Sequence, residues 1–574
     1  MKDEKIQKID FSRKRLGAMA DKCYNEGDYV SALRFAFKEF ELHEGDADIF
    51  ARLSDIYEAM NLQGTAINWW FRYLDVSDEE DLPDVYEGLA VNFLSLGQES
   101  PSAYYYNRLI DADDSLPEEA KMDIIEAFSK PPQNKLRFVY PPELVDYSQE
   151  MNAGSKALKA GDCETAVGEF SKVAKGAKQF TQAKEMQAVA LLLEGKADEA
   201  EEACKELLSI VPDEVRALAT LAAVYLEQGR SEESREIAEK LSKMQTDDAD
   251  ELYKIATVCC ENGLHEEAYR FFDLLDKKTP YDGRILYFKG VSAYKSDHLD
   301  EAEAALETLC AIYPDAEVAK YYLRALRAYR EGEGEKPELI YFYHLPQEER
   351  EFRCHTLLEL KKCAKDEAEL FGVFALRDGY FRWCFDEMDG SDHELQYLGL
   401  IAAIHARCDD FVRDILLDYE VADVLKIEAL RMLLERNEEN EFGIVLYNIY
   451  KKILLPRIAI GRKRRKKFIN AFAKLASKFM VLKDGHGEKL ARAAEKLYRA
   501  LENYNSLDLV DNEDDCACAM YILSGLKELG NDPKRIANAF DANVSKVQVL
   551  LSAAISDEYG ITKGNEELEQ DEID

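Results

Sequence analysis

The sequence predicts an all-α fold, an α-solenoid of stacked helix pairs followed by a C-terminal helical region. The main observation is a period of 34 residues. Small residues recur at this spacing, at Ala166, Ala200, Ser234, Ala268 and Ala302. A second small residue stands twelve positions before each, at Gly154, Ala188, Ala222, Ala256 and Gly290. A turn-forming residue stands five positions before each, at Gly161, Gly195, Gly229, Gly263 and Asp297. A period of this length is typical of repeat arrays in which one supersecondary unit packs on the next.

Helix packing explains these positions. Two antiparallel helices approach closely only where small side chains face each other, as at Ala256 and Ala268. Glycine stands where the first helix must end and the chain must turn. Pro280 ends the second helix because it cannot continue the hydrogen-bond ladder, and Phe272 and Leu275 fill the space between repeats. These residues resemble the tetratricopeptide repeat (TPR), with five consecutive matches at constant spacing.

The N-terminal segment repeats the same period less regularly. Its small residues form three pairs, Ala20 with Ala32, Ser54 with Ala66, and Ala90 with Ser102. Residues 1–110 are therefore expected to form an N-terminal TPR block of about three repeats. Several prolines interrupt residues 111–146, which predicts a spacer. Residues 147–331 are expected to form a central TPR block of five repeats, with a capping helix over 315–330.

No 34-residue period continues beyond the central block. Residues 332–456 still have a helical pattern without strand alternation, and residues 421–434 resemble a helix of HEAT-type repeats. Residues 457–556 are expected to form a C-terminal domain that begins with a basic run and continues as helices. The acidic segment 557–574 is expected to be disordered.

One basic patch interrupts this acidic chain, at Arg462, Lys463, Arg464, Arg465, Lys466 and Lys467. A solvated helix face, or a helix start that contacts an acidic neighbour, explains such a run. A nucleic-acid patch or an internal ligand for an acidic groove explains it as well. We hypothesise that the basic patch docks on an acidic groove, either within one chain or between two copies.

Residues 518–554 resemble helix-turn-helix domains and the end of a cyclin-like repeat. The resemblance implies that residues 544–551 would enter the major groove of DNA. The outward positions of that helix are Ser545, Lys546 and Gln548. The pattern departs from these families at Asp541, where the turn usually has a glycine. A purely structural packing of three helices is the alternative.

Composition and charge limit the classes of partner that the chain is expected to bind. The chain has 574 residues and carries 113 Asp and Glu against 74 Lys and Arg, a formal net charge of -39. Such a surface repels phosphates along most of its length, so nucleic acid is expected to bind, if at all, only through the C-terminal region. No apolar run approaches the roughly 20 residues needed to cross a bilayer, so no membrane partner is expected. Twelve scattered cysteines fit reduced thiols in a cytoplasmic protein.

No motif for catalysis or cofactor binding occurs. The sequence contains no GxxxxGK[ST] loop, no HExxH and no GxSxG. The best metal candidates, Cys384, His393, His405 and Cys408, lack the paired short spacings of structural zinc sites. We therefore expect no enzyme, no cofactor and no metal. An enzyme with an unrecognised site between residues 338 and 456 is a further alternative.

The TPR resemblance implies where a partner would bind. In this family the inner surface of the array comes from the first helix of each repeat. In the central block these positions form a candidate peptide-binding set, Met151, Val189, Leu192, Arg216, Leu226, Tyr253, Arg284, Tyr287, Val291 and Tyr294. Aromatic residues and arginine are common in such interfaces. Packing against neighbouring helices is the alternative for each residue.

In the N-terminal block the same positions form an acidic groove, at Asp21, Asp48, Asp55, Glu58, Asp84 and Glu87. This face is expected to prefer a basic partner. TPR proteins that hold chaperone C-terminal carboxylates use a Lys and Asn pair in the first repeat. The corresponding residues here are Gly17 with Asp21, or Met151 with Ser155, so that co-chaperone function is not expected.

The sequence therefore predicts a non-enzymatic, cytoplasmic TPR scaffold that binds protein or peptide segments of unknown identity in its concave grooves. The alternative from another class is a transcriptional regulator. In that case the helix-turn-helix-like segment binds DNA and the TPR array receives a partner. Binding of duplex DNA by residues 451–556 alone would distinguish the two.

Overall fold

The structure is a computed structural model, and it describes residues 13–43, 46–113, 115–129, 147–386, 392–461 and 465–558. These residues contain 29 α-helices and one two-stranded hairpin. The predicted all-α solenoid fold is confirmed. The chain divides into two compact units. Unit 1 consists of Met1–Phe128, Arg350–Cys384 and Asp392–Asp574, and unit 2 consists of Ser129–Glu349 and Phe385–Ser391.

The N-terminal helices are α1 (Arg13–Asn25), α2 (Tyr29–His43), α3 (Ala47–Ala59), α4 (Gln63–Val76), α5 (Leu82–Ser95), α6 (Glu99–Ala112) and α7 (Glu118–Ser129). The first six pack as three successive helix pairs. Small residues lie inside these pairs, since Ala20 and Ala32 have no exposed surface. Ser102 is also fully buried, and its hydroxyl donates a hydrogen bond to Ala90 O at 2.8 Å. A buried hydroxyl needs such an acceptor.

The central block in unit 2 has eleven helices: α8 (Ser148–Lys159), α9 (Cys163–Ser171), α10 (Phe180–Leu193), α11 (Ala197–Ile210), α12 (Val215–Glu227), α13 (Ser231–Leu241), α14 (Ala249–Glu261), α15 (His265–Lys278), α16 (Gly283–Lys295), α17 (Leu299–Ile312) and α18 (Glu317–Glu331). Each helix packs against the next. The first helices of neighbouring repeats also touch: α10 contacts α12, and α12 contacts α14. The block is therefore a stack of helix pairs with the first helices side by side.

Close helix approach in the central block depends on small residues. A Cβ atom on Gly154 would lie 2.6 Å from a ring carbon of Phe170, closer than side chains tolerate. Ala256 and Ala268 have no exposed surface and belong to one apolar cluster with Phe272. A larger side chain at either alanine would have to push two helices apart.

The turns inside the central repeats require a left-handed backbone. Four glycines have φ between 70° and 79°, Gly161, Gly195, Gly229 and Gly263. Glycine adopts this conformation without a steric penalty. Asp297 takes the same place in the last repeat with φ 61°, and aspartate is among the residues that tolerate it.

The C-terminal region contains six helices, a hairpin and five further helices. They are α19 (Gln347–Lys362), α20 (Lys365–Arg377), α21 (Tyr380–Trp383), α22 (His393–His405), α23 (Asp409–Leu417), α24 (Asp423–Glu435), β1 (Asn440–Leu446), β2 (Ile449–Leu455), α25 (Arg465–Phe479), α26 (His486–Asn503), α27 (Glu513–Ser524), α28 (Pro533–Ala539) and α29 (Val544–Glu558). A short 3₁₀ helix, Leu507–Leu509, precedes α27.

The hairpin corrects the prediction that residues 332–456 contain no strand. β1 and β2 pair antiparallel, and Tyr447 and Asn448 connect them with φ of 53° and 63°. Two positive φ values belong to the type I′ turn, whose twist matches that of paired strands. Residues 442–446 are buried without interruption. β1 therefore lacks the alternation of polar and apolar residues by which a strand is recognised in a sequence.

Within unit 1 the hairpin packs against the second helices of the N-terminal pairs. The Tyr105 hydroxyl on α6 donates to Asn448 O at 3.0 Å and accepts from the N–H of Tyr450 at 3.1 Å. The Tyr450 hydroxyl donates to Asp75 Oδ1 on α4 at 2.8 Å. Gly443 permits this approach, because a Cβ atom there would lie 2.0 Å from Asp75 Oδ1. The hairpin thus covers α4 and α6.

A second contact in unit 1 joins α4 to the end of α23. Arg72 Nε donates to Asp414 Oδ1 at 3.1 Å. The Asn68 side chain donates to Asp418 and accepts from the main-chain N–H of Tyr419. The N-terminal repeats are therefore held by segments that follow them by more than 300 residues.

The described part of the basic patch begins α25, with Arg465, Lys466 and Lys467. Arg462, Lys463 and Arg464 lie outside the described residues, as does the predicted acidic tail from residue 559 on. Lys467 Nζ donates to Asp511 O at 3.3 Å, and Lys474 pairs with Asp514 on α27. These lysines therefore face acidic residues at the start of a neighbouring helix.

Helices α27, α28 and α29 form the segment that resembles a helix-turn-helix domain, and they pack on one another. Asp541 adopts φ 53° in the turn where glycine is usual. Of the three outward residues predicted on α29, Lys546 pairs with Asp511 at 2.9 Å. Packing within unit 1 is a sufficient explanation of this segment.

The buried small residues generate a stability prediction. Ala268→Leu should lower the free energy of unfolding by about 2 kcal/mol or more, because the added side chain overpacks two helices in contact. Thermal or urea unfolding measures this. Ala153→Leu on α8 is the matched control, since Ala153 is exposed and its substitution should change stability by less than about 0.5 kcal/mol. An unchanged midpoint for Ala268→Leu would contradict the tight crossing.

Candidate functional site

Helices α14, α16 and α18 of unit 2 line a groove that holds part of the same chain. Residues 336–346, here called the internal segment, run along this groove without helix or strand structure. Three tyrosine hydroxyls donate to its carbonyl oxygens, Tyr294 to Pro337 at 2.6 Å, Tyr287 to Ile340 at 3.0 Å, and Tyr322 to His344 at 2.9 Å. The groove therefore binds the main chain of the internal segment. Main-chain carbonyls are present in every peptide, whatever its sequence.

Alternate side chains of the internal segment are buried. Leu339, Tyr343 and Leu345 are 0%, 8% and 1% exposed, and Tyr341 is half-buried. Phe342, between two of them, is 65% exposed. A period of two is that of an extended chain with one face on a surface. The groove thus contacts alternate side chains of the internal segment as well as its main chain.

Tyr341 occupies a pocket between α14 and α15. Its hydroxyl shares a hydrogen bond of 2.9 Å with His265 Nδ1 and also bonds Cys260. Lys295 Nζ lies 5.6 Å from the centre of its ring. Burial, together with Lys295, lowers the pKa of His265, so its ring is uncharged at neutral pH. Burial raises the pKa of Cys260, so the pocket holds a neutral thiol.

Tyr343 links the internal segment to the last helix of the block. Its ring meets that of Tyr287 edge to face, with the centres 4.9 Å apart. Its hydroxyl donates to Asp386 Oδ2 at 2.9 Å, and the same oxygen accepts from the N–H of Val318 at 3.3 Å. Asp386 is buried, and a carboxylate near the first turn of a helix is favoured by the helix dipole. Burial raises the pKa of Tyr343 well above its usual range.

The structure brings part of the predicted peptide-binding set to the internal segment. Tyr287 and Tyr294 contact it directly, and Val291 lies buried on the same helix. Met151 belongs instead to the apolar cluster of α8, α9 and α10. The remaining predicted residues also lie on first helices of repeats. Arg284, at the start of α16, is exposed. The others are half-buried, and they are Val189, Leu192, Arg216, Leu226 and Tyr253.

Arg216 is engaged in ion pairs on the first helices. It lies 2.9 Å from Asp250 and 3.8 Å from Glu185. Glu185 is buried, and burial raises its pKa despite the attraction of Arg216 and Lys254. Arg216 therefore neutralises carboxylates of the array, and its contact with a bound peptide stays a prediction.

Sequence reasoning missed several residues of this groove. Cys260 stands 34 positions after Leu226 and 34 before Tyr294, so the repeat spacing already marks it as an inner residue. Tyr322 stands 35 positions after Tyr287, one step off the period. Nothing in the sequence indicates that the internal segment turns back into the groove.

The acidic groove in unit 1 assembles around Asp55 on α3. Desolvation in the groove is the main cause that raises the pKa of Asp55 to about 6; Glu58, Asp21 and Asp84 raise it further, and Arg52 lowers it. Burial and nearby like charges both favour the neutral carboxyl group.

The other acidic residues differ in their surroundings. Asp21 accepts from Arg52 Nε at 2.7 Å, and Asp48 pairs with Arg13 at 3.0 Å. Glu58 accepts from Trp70 Nε1 at 2.6 Å. Glu87 is exposed on α5. The groove is therefore acidic but partly neutralised by two arginines.

The described residues contain neither a membrane-spanning helix nor a metal-binding cluster. No helix among them is long and apolar enough to cross a membrane. In the same residues, no three His, Cys, Asp or Glu side chains are placed to hold a metal ion. His405, one of the metal candidates in the sequence, bonds Cys363 O at 3.0 Å instead.

Comparisons with known proteins give the following similarities. Two family models described as tetratricopeptide repeat match residues 151–215 and 191–258. No curated protein matches the chain. Similar solved structures include yeast Tom70, at 13% identity over 95% of this chain and 96% of that chain with a TM-score of 0.25.

Two other solved structures are similar at the same level. The human IFIT1 dimer with m7Gppp-AAAA has 12% identity over 74% of this chain and 90% of that chain, with a TM-score of 0.26. The TPR2AB-domain:pHSP90 complex of yeast Sti1 has 16% identity over 46% of this chain and 97% of that chain, with a TM-score of 0.19. Values this low carry no conclusion about function.

The tyrosine hydroxyls of the groove give a first prediction. Tyr287→Phe and Tyr294→Phe should each lower the free energy of unfolding by about 1 kcal/mol, because carbonyls of the internal segment lose their donor. Amide hydrogen exchange in residues 336–346 should become faster. Tyr447→Phe, at an exposed hairpin turn, should change neither quantity. Unchanged exchange in both groove variants would show that the hydroxyls do not hold the segment.

The raised pKa of Asp55 gives a second prediction. A carboxyl group with a pKa of about 6 when folded and 3.8 when unfolded costs stability above pH 6 and none below pH 4. Asp55→Asn should therefore raise the free energy of unfolding at pH 7, and the gain should shrink as the pH falls to 4.5. Urea unfolding at both pH values measures it. The exposed Asp111 provides the control Asp111→Asn, and an equal gain at both pH values for Asp55→Asn would contradict the raised pKa of Asp55.

Proposed function

Because the chain is a tetratricopeptide repeat protein, we propose that it is a non-enzymatic scaffold that binds segments of other proteins in its concave grooves. The supporting observation is that one groove already holds a non-helical protein segment. Tyr287, Tyr294 and Tyr322 donate to carbonyls of that segment. A row of hydroxyl donors aimed at main-chain acceptors is suited to binding peptides and performs no chemistry on them.

The proposed site for an outside partner is formed by α10, α12 and the start of α14. These helices precede the internal segment in the sequence. Val189, Leu192 and Leu226 keep part of their surface exposed there, next to Tyr253. Partly exposed aliphatic and aromatic side chains on first helices offer apolar area that a bound segment would remove from water. This surface is the proposed partner site.

The acidic groove gives the scaffold a second surface with different chemistry. Desolvation raises the pKa of Asp55, and repulsion from Glu58, Asp21 and Asp84 adds to it. A segment rich in Lys or Arg would relieve this repulsion, so the proposed partner of the N-terminal block is basic. Docking of the chain's own basic patch on this groove stays a prediction.

What supports a cytoplasmic location is that all twelve cysteines are free thiols. Thiols persist where glutathione and thioredoxin keep cysteines reduced. The alternative of a DNA-binding regulator gains no comparable support, since Lys546 on its reading helix pairs with Asp511.

The test compares partner recovery by two variants of the full chain. The double variant Leu192→Gln with Leu226→Gln makes the proposed site polar at similar volume, and recovery of cross-linked partners should fall at least about tenfold. The control is Leu193→Gln, whose residue is 67% exposed beside Leu192. Partners recovered equally with the double variant and the control, at unchanged helical content, would refute the proposed site.

A further inference from the structure

The internal segment is bound as a peptide ligand rather than packed as an ordinary connection. It forms no helix or strand, and three groove hydroxyls take its carbonyls. We propose that the groove of α14, α16 and α18 is a second, self-occupied peptide site. Its outside ligand is an extended segment with apolar or tyrosine side chains at alternate positions, which replaces residues 336–346. This inference rests on the proposed scaffold function and adds a ligand class and a competitor to it.

The ligand class follows from what the internal segment buries. The residues of the internal segment that face the groove stand at every second position, Leu339, Tyr341, Tyr343 and Leu345. The two leucines have almost no exposed surface, whereas Phe342 points outward. Shifting an extended chain by one residue turns every side chain to the other face. A ligand must therefore have its apolar or tyrosine side chains at the alternate positions that face the groove.

The two tyrosines of the pattern make specific side-chain contacts. The Tyr341 hydroxyl meets His265 and Cys260, and the Tyr343 hydroxyl donates to Asp386. Phenylalanine at either place would leave buried polar groups without this partner, which costs binding energy. Tyrosine is thus the favoured residue at the two central inward positions.

Replacement of the internal segment is possible because of how it is attached. The stretch before it, residues 332–335, is exposed along its whole length. Gly332 has φ 76° and ends α18, and Gly334 follows two positions later. Near this end Lys336 makes only surface contacts, 3.9 Å from Asp297 and 5.5 Å from the Tyr294 ring. The segment can therefore detach from this end first, as a strap anchored at Leu345.

Tethering sets the strength of the competition. A segment joined to its own site by a short flexible link acts at an effective concentration on the order of millimolar. A free peptide of the same sequence therefore competes poorly with the intact chain. A cut before the segment leaves its other end joined to α19 at Gln347 but frees the end that carries Leu339 and Tyr341, so this part of the site should open to ligands from outside.

The experiment uses the full chain with a site-specific protease sequence inserted between Glu333 and Gly334. The probe is a fluorescent peptide of residues 336–346. Affinity for the probe should rise at least about tenfold after cleavage, relative to the same protein uncut. A control peptide of the same composition, with each inward residue exchanged with its neighbour, should not bind the cleaved chain.

Two variants complete the test. Leu339→Ser weakens the internal segment without changing the groove, and it should also raise affinity for the probe in the uncut chain. Tyr287→Phe with Tyr294→Phe should reduce probe binding to the cleaved chain, whereas Tyr447→Phe should not. Equal probe affinity before and after cleavage, together with no gain in Leu339→Ser, would overturn the proposal, as would equal binding of the control peptide.

These outcomes are distinct from failure of the scaffold function. If the probe fails to bind while partner recovery still depends on Leu192 and Leu226, only the self-occupied site is refuted. If the probe binds the cleaved chain while partner recovery is indifferent to Leu192 and Leu226, only the partner site on α10 and α12 is refuted.

Discussion

Each repeat depends on two helices that touch at a residue with almost no side chain. At Gly154 even one additional carbon would collide with Phe170, and Ala268 has no exposed surface. Close contact within each pair lets the first helices of successive repeats lie side by side, as α12 and α14 do. Side chains at one helical position then form a row along the array. The inner face of the array is therefore set by small residues that are buried inside the helix pairs.

The two proposed sites would select partners by different physical means. The groove of α14, α16 and α18 uses neutral donors and apolar pockets, so its selectivity comes from shape and from the phase of alternating side chains. The acidic groove offers the carboxylates around Asp55, whose pKa is raised by desolvation and further by its acidic neighbours. Salt should weaken attraction to the acidic groove and leave the tyrosine groove nearly unaffected. The proposed scaffold would thus offer two surfaces to chemically different segments.

The sequence allowed the helix pairs and part of the groove to be predicted, because the 34-residue period repeats positions as well as helices. The resemblance to the tetratricopeptide repeat, with that period as register, put Tyr287 and Tyr294 on the predicted inner face. The occupant of the groove could not be predicted, since residues 336–346 have no periodic neighbour and their position is decided by contacts with distant helices. The hairpin was missed because residues 442–446 are buried on both faces, which removes the alternation by which strands are recognised.

The pairing of Tyr105 with the hairpin has a consequence for the order in which the protein is made. Tyr105 and Asn448 are 343 residues apart. At ~5–20 residues per second, the ribosome delivers the hairpin roughly 20 to 70 s after α6. Throughout that interval the nascent N-terminal repeats expose the surface that Tyr450 and Gly443 later cover, whereas each helix of the central block meets its neighbour as soon as both have emerged. The part of the chain that is synthesised first therefore completes its packing only after the whole central block has emerged.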